Sequence, residues 1–382
     1  MTIPMALNLF DLVSEDHLTS QIEMKKLRFH VPDQNGKTKC HQMHVGKPSI
    51  FCPELKIPGF LMEKVHKDTY LGDILSFDGS NTLNIKDRVG KGIGIMSDIL
   101  NTLESVSFGV HYFRIFKMFR EAQFINGTLT NADIWYGLNS NSLKELEDLD
   151  RLMIRKVLKC PFSTPSEAGH LELGLLPLNC IVKERRLNYL HYILQSDPNK
   201  MLHKCFIAQW EDETKNDWTR TIKEDLVDLN MRCDLMTVKN MSKMRLKKQG
   251  KIKIKEYALD RFNESKFEHS KMDNLVYTDL EIQSYLVSEE LSTNQKRTIF
   301  HFRTRMAEFS ENYKQNDVVK PCQICKMHSD CQAHSVVCHE TMKHVKKKGN
   351  YSEIFTNNIS TDTATMLEEI IKIHSKRQAE QS

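Results

Sequence analysis

No stretch of this chain approaches the roughly 18 uncharged apolar residues that a membrane-spanning helix needs, so no membrane contact is expected. The opening segment MTIPMALNLFDLVSEDHLTS has no basic start, and Asp11, Glu15 and Asp16 interrupt its apolar run well short of a signal sequence. An intracellular protein, nuclear or cytoplasmic, is the expectation. Charge of one sign is also scarce: 54 Lys and Arg face 50 Asp and Glu, a net +4. So weak a field draws no polyanion by itself, and any affinity for phosphate has to come from local clusters. There is no Gly-flanked nucleophile elbow, no P-loop and no His-Glu-x-x-His, which leaves a hydrolase or ATPase reading without support. Internal repeats are missing as well.

What is present suffices for a folded protein. The 382 residues are 40% hydrophobic, enough for one large core or two to three smaller ones. Residues 21–82 hold the only candidate strands: KKLRFHV, CHQMHVG and DTYLGDILS are short, partly alternating and divided by Gly, Pro, Asn and Asp turn signals. From about residue 84 onward apolar residues recur at three- and four-residue steps, which predicts helices over 84–106, 110–127, 141–160, 177–196 and 292–313. Ser142, three residues before Glu145, reads as a capping-box start, and Pro177 suits a first helical turn. The expected class is mainly α with a small β element near the N-terminus. The cationic stretch MSKMRLKKQGKIKIKEY reads as exposed helix or linker, and the tail beyond about 346 has little apolar content before TATMLEEIIKI.

Cys40, Cys52, Cys160, Cys180, Cys205 and Cys233 are scattered, which suits free, mostly buried thiols. The other four cysteines fall within KPCQICKMHSDCQAHSVVCHE, residues 320–340. Cys322 and Cys325 form a C-x2-C turn that aims two thiolates at one point, and His334 and Cys338, four apart, share one face of a short helix. This is a closed tetrahedral set, and structural Zn2+ favours such thiolate and imidazole ligands. Two alternatives stay open. Cys331 could replace His334, at a greater cost in loop closure, and four reduced cysteines beside unrelated histidines would need no metal. His328 and His339 read as bystanders. A segment this small buries too little apolar area to fold alone, so metal binding would supply its folding energy.

This array, preceded by TYLGDILSFDGSN, LTNADIWYG and LEDLDRLMIRKVL, resembles the C-terminal part of reverse transcriptases from non-LTR (LINE-type) retrotransposons, over about residues 21 to 340. The resemblance implies an N-terminal segment (1–20), a remnant of the polymerase palm (21–82), a helical thumb (83–200), a helical linker region (201–317), a CCHC zinc knuckle (318–345) and a C-terminal tail (346–382). Tyr70, Leu71 and Gly72 look like the primer-grip turn. Two departures matter. The chain has no Asp-Asp pair to hold the two metal ions of nucleotidyl transfer, and no Pro-Asp carboxylate cluster of a nuclease follows Cys338. The resemblance therefore implies a fragment of an RNA-directed DNA polymerase, inactive alone, that binds RNA and RNA–DNA duplex. Mg2+ would matter only together with the missing catalytic palm, and that fingers and palm portion is a further implied partner. The alternative is a helical protein-interaction scaffold with a structural zinc site.

A thumb grips duplex through phosphates, without reading bases. Arg114, Lys117 and Arg120 recur every three residues beside the stripe Phe113, Phe116 and Phe119. Taken alone, that helix reads as a core-facing stripe with solvated charges; the resemblance is what assigns its cations to phosphate. Arg185 and Arg186 read equally well as phosphate contacts or as partners of Glu184 and the acidic KELEDLD helix. Lys247, Lys248, Lys251, Lys253 and Lys255, with Lys343, Lys346, Lys347 and Lys348, are the strongest cationic runs, and solvated faces are the competing account. Trp135 and Tyr136 are expected to pack in a core, and the Cys/His window has no aromatic residue on which a base could stack.

Overall fold

The structure, a computed structural model, describes residues 41–42, 63–70, 72–76, 79–137, 143–212, 217–231, 235–266, 272, 275–313, 320–356 and 358–381. The expected KKLRFHV strand, Leu71 and the Ser142 cap lie outside them. Strand β1 (His41–Gln42) runs parallel to β2 (Glu63–Lys64), and β3 (Lys67–Tyr70) pairs antiparallel with β4 (Asp73–Ser76). In helical order follow α1 (Thr82–Ser105), α2 (Tyr112–Phe119), α3 (Lys144–Leu158), α4 (Ser166–Leu173), α5 (Leu178–Leu194), α6 (Met201–Glu211) and α7 (Trp218–Asp228). The C-terminal part adds α8 (Leu235–Asn240), α9 (Lys243–Lys266), α10 (Ser284–Val287), α11 (Thr293–Arg303), α12 (Gln332–Ser335), α13 (His339–Met342) and α14 (Thr361–Gln381). This is the mainly helical class with a small β element that the hydrophobic periods require. The chain divides into two units, one of residues 1–90, 129–145 and 182–250, the other of 91–128, 146–181 and 251–382.

In the first unit β3 and β4 form a hairpin with Tyr70 opposite Asp73. Gly72 stands at φ +85°, a left-handed conformation that a side chain disfavours. Asp73 is buried and fastens the hairpin, accepting from Asn84 Nδ2 at 3.1 Å and Arg88 Nη2 at 2.7 Å on the first turns of α1. Trp135 is wholly enclosed, as its apolar surroundings in the sequence imply, and Val182, Leu190, Phe206, Ile222 and Leu226 of the same unit are fully buried as well. Asp217 caps α7 by accepting the amides of Thr219 and Arg220 at 3.0 and 3.1 Å, which satisfies donors that a helix start leaves open.

In the second unit, Phe113 and Phe116 of α2 are fully buried, as are Phe124, Met153, Val157 and Phe300. Each such side chain contributes roughly 1.5–3 kcal/mol by leaving water. Beyond Phe119 the helix loosens into a π-helical turn, Arg120–Ile125, and so continues to Thr128. Helix α11 stops at Arg303, ten residues short of the predicted end at 313. Arg305 turns to φ +51° while the amide of Met306 reaches the His301 carbonyl at 2.7 Å and that of Arg305 reaches Phe302, a Schellman stop with arginine in the place glycine usually takes. Helix α14, which holds the apolar segment TATMLEEIIKI of the tail, packs against α11 and buries Ala364, Leu367 and Ile370. Behind α11, the buried carboxylate of Glu172 takes Arg303 Nε at 2.8 Å and the Tyr277 hydroxyl. Burial, then the Glu172 charge, pushes the Tyr277 phenol up.

Candidate metal centre and cationic surfaces

The Cys/His window folds from its backbone outward. Pro321 and Ser329 form an isolated antiparallel bridge, and between them the Cys322 amide donates to the His328 carbonyl at 2.6 Å while the Lys326 amide donates to the Cys322 carbonyl at 2.9 Å. Lys326 sits at φ +60°, which turns the chain sharply just after Cys325. Eight residues after Lys326, α12 carries His334, and Cys331 is its N-cap: the Cys331 thiol accepts the His334 amide at 3.3 Å. The Cys338 amide then donates to the His334 carbonyl at 2.7 Å, which returns the last thiol to the same point. As a result the ligand atoms of Cys322, Cys325, His334 and Cys338 all lie within 4.8 Å of one another, and the four residues could hold a metal ion. His334 Nε2 stands 3.3 Å from Cys325 Sγ, so the imidazole already faces the thiols. Cys331 caps α12 and is not among the four residues whose ligand atoms converge.

The two thiols of the C-x2-C turn are shifted in opposite directions. Backbone N–H groups of Met327 and His328, together with His334, bring the Cys325 thiol down to about 6, whereas burial pushes Cys322 up to about 11. A bound cation would hold both as thiolates. The window is tied to the second unit by polar locks. Gln332 Nε2 donates to the Phe302 carbonyl at 2.9 Å, Asn312 Nδ2 donates to Gln332 Oε1 at 2.8 Å, and the Ser310 amide donates to Asp330 Oδ2 at 2.8 Å.

The residues expected to meet phosphate divide into two groups. Arg114 is exposed, and so are Lys346, Lys347 and Lys348, the second of these paired with Asp362 at 3.0 Å. Arg120 departs from expectation. It is 1% exposed, and its guanidinium grips Asp150 through Nε at 2.7 Å and Nη2 at 2.6 Å while also donating to the Leu176 carbonyl. Burial alone would raise the Asp150 carboxyl; the Arg120 guanidinium overrides it and holds the group well below the usual carboxylate range. Lys117 donates to the Gly174 carbonyl at 2.7 Å, and burial lowers its pKa. Arg186 is likewise buried, bonded to Asp225 by Nε at 2.6 Å and Nη2 at 2.9 Å, with Lys183 reaching the same carboxylate at 2.7 Å. Its partner is thus α7, neither Glu184 nor the acidic α3. A guanidinium so enclosed braces helices and offers no face to a phosphate, which corrects the expectation for Arg120 and Arg186.

Arg185 keeps a half-buried place, donating to the Leu129 carbonyl. Gly72 is exposed at its turn; for Tyr70 the structure describes the strand alone. One signal that the sequence reading passed over is the run Arg185, Tyr189 and Tyr192. At steps of four and three these residues share a face of α5, and they line one open cavity. Among the described residues no helix is long and apolar enough to cross a membrane. Comparison of the chain with family models, with curated proteins and with solved structures finds no match.

Proposed function

We propose that this chain is the post-catalytic portion of a LINE-type reverse transcriptase, a thumb, helical linker and zinc knuckle that hold RNA and RNA–DNA duplex by their phosphates. It performs no nucleotidyl transfer alone, and Mg2+ would enter only with a catalytic palm supplied by another chain. Three thiolates and an imidazole suit zinc, and a first shell filled by protein leaves no position open for substrate, so the metal is structural. One observation carries the nucleic-acid reading. Arg114, Lys346 and Lys348, with Lys243, Arg245, Lys247, Lys248 and Lys251 on α9, are exposed and form no ion pair with another described residue. Cations left uncompensated on a nearly neutral chain are what phosphate binding requires.

The test is filter binding of RNA–DNA duplex over a salt series, with zinc counted by native mass spectrometry. Affinity should fall steeply with salt, by about 0.9 log units per log unit of salt for each phosphate neutralised. The second reading, a helical protein-interaction scaffold with the same structural zinc, draws support from the internal use of Lys117, Arg120 and Arg186. It requires no affinity for duplex at any salt, so one titration separates the two. Primer extension by the chain alone would refute the first reading outright.

A further inference from the structure

Helices α5 and α9 line, within the first unit, an open cavity of about 590 Å3 that sets the expected contact Arg185 beside Tyr189 and Tyr192. Its floor is aromatic. The rings of Tyr189 and Tyr192 lie nearly parallel, 16° apart with centroids at 6.0 Å, and Trp218 buttresses Tyr189 edge-on at 5.5 Å. Tyr192 remains 61% exposed, so the outer ring of the pair presents a free face. Its rim is cationic: Lys243 and Lys247, one helical turn apart on α9, stand opposite Arg185, against a single carboxylate, Asp133. Two backbone contacts lock the arrangement. His191 Nε2 bonds the Met241 carbonyl at 3.0 Å and Gln195 Nε2 donates to the Lys239 carbonyl, fixing α5 against the segment that leads into α9. Gly250 lets α9 come close, since a Cβ there would meet Leu187 Cδ2 at 3.0 Å.

We infer that this groove binds single-stranded nucleic acid, one unstacked base resting on Tyr192 and the flanking phosphates held by Lys243 and Lys247. The inference rests on the nucleic-acid reading above and adds a second mode to it. A duplex keeps its bases inside and offers phosphates alone, whereas a pre-stacked aromatic shelf beside cations suits a strand whose bases are splayed out. Every base has a π face, so the groove is tolerant of sequence. The Tyr189–Tyr192 stack is already formed in the free chain, which spares the protein part of an ordering cost on binding.

The experiment uses the full zinc-loaded chain with two short oligonucleotides, single-stranded RNA and single-stranded DNA, each carrying one photoreactive 5-bromopyrimidine, and with RNA–DNA duplex as control. Irradiation should cross-link the single strand to Tyr192. Tyr192→Ala should weaken single-strand affinity by roughly 5- to 100-fold and leave duplex affinity unchanged, while Tyr192→Trp retains it. Lys243→Gln combined with Lys247→Gln should reduce the salt slope for single strands by about 1.4, two phosphates at about 0.7 each. Whichever of RNA or DNA binds tighter then identifies the strand. If duplex binds as expected while Tyr192→Ala leaves single-strand affinity intact, the groove is refuted and the broader reading stands. If the parent chain binds no nucleic acid of any form, both fall.

Discussion

Replacing Arg120 by methionine isolates the role that burial assigns it. The substitution keeps an unbranched apolar stem and leaves the Asp150 carboxylate, 1% exposed, with the His170 imidazole at 3.3 Å as its remaining side-chain partner. Stranding one partner of a buried pair costs about 3–5 kcal/mol, which for a body of this size lowers the melting temperature by about 6–20 °C. The companion variant Arg120→Met with Asp150→Leu removes both charges. It should recover a coupling of about 2–3 kcal/mol, the upper part of the range for residues in contact. Recovery stays incomplete because the Leu176 carbonyl and the His170 imidazole each lose a bond. Urea denaturation followed by circular dichroism measures all three differences, and duplex titration of Arg120→Met should show an unchanged salt slope. The reasoning is refuted by a single-variant loss under about 1 kcal/mol, by strict additivity in the cycle, or by a slope that falls.

Cys338→Ser should abolish metal binding and lower thermal stability, whereas Cys331→Ser, which can still cap α12, should retain one zinc per chain; native mass spectrometry with a melting curve checks both. Gly174→Ala should destabilise by more than about 1–3 kcal/mol, because its φ is +60° and a Cβ would meet the backbone of Glu281 and Ile282 at 2.4 Å, with a lowered urea midpoint as the readout. Lys296 is enclosed, bonds the Val110 carbonyl at 2.6 Å, and is brought by burial down to about 8. Above pH 8 the folded state then binds fewer protons than the unfolded chain, whose lysine titrates near 10.4. Stability relative to Lys296→Met should therefore rise between pH 8 and pH 10; a difference that is flat across paired urea curves over that range would contradict it.

The fate of Arg120 was partly legible in the sequence. It follows Phe113 by seven residues and Phe116 by four, so at 100° per residue it shares the face of the two buried rings, while Arg114 points elsewhere. Reading the three cations as one row overlooked the 60° drift of each three-residue step. Asp150 carried the matching signal, four residues after Leu146 and three before Met153 on the buried side of α3. That these two buried charges meet, 30 residues apart, no local pattern could say. Arg186 and Asp225 repeat the lesson at a separation of 39.

The Cys/His quartet that could hold a metal ion, the helical class and the core places of Phe113, Phe116 and Trp135 were determined by the sequence itself, because spacing along a helix or turn sets which side chains face together. Tertiary structure decided which cations remain free, made Cys331 a cap, and set Tyr192 beside Lys243 and Lys247. Such outcomes depend on which distant helix supplies the counter-charge or the opposite wall, and chain proximity carries no record of that.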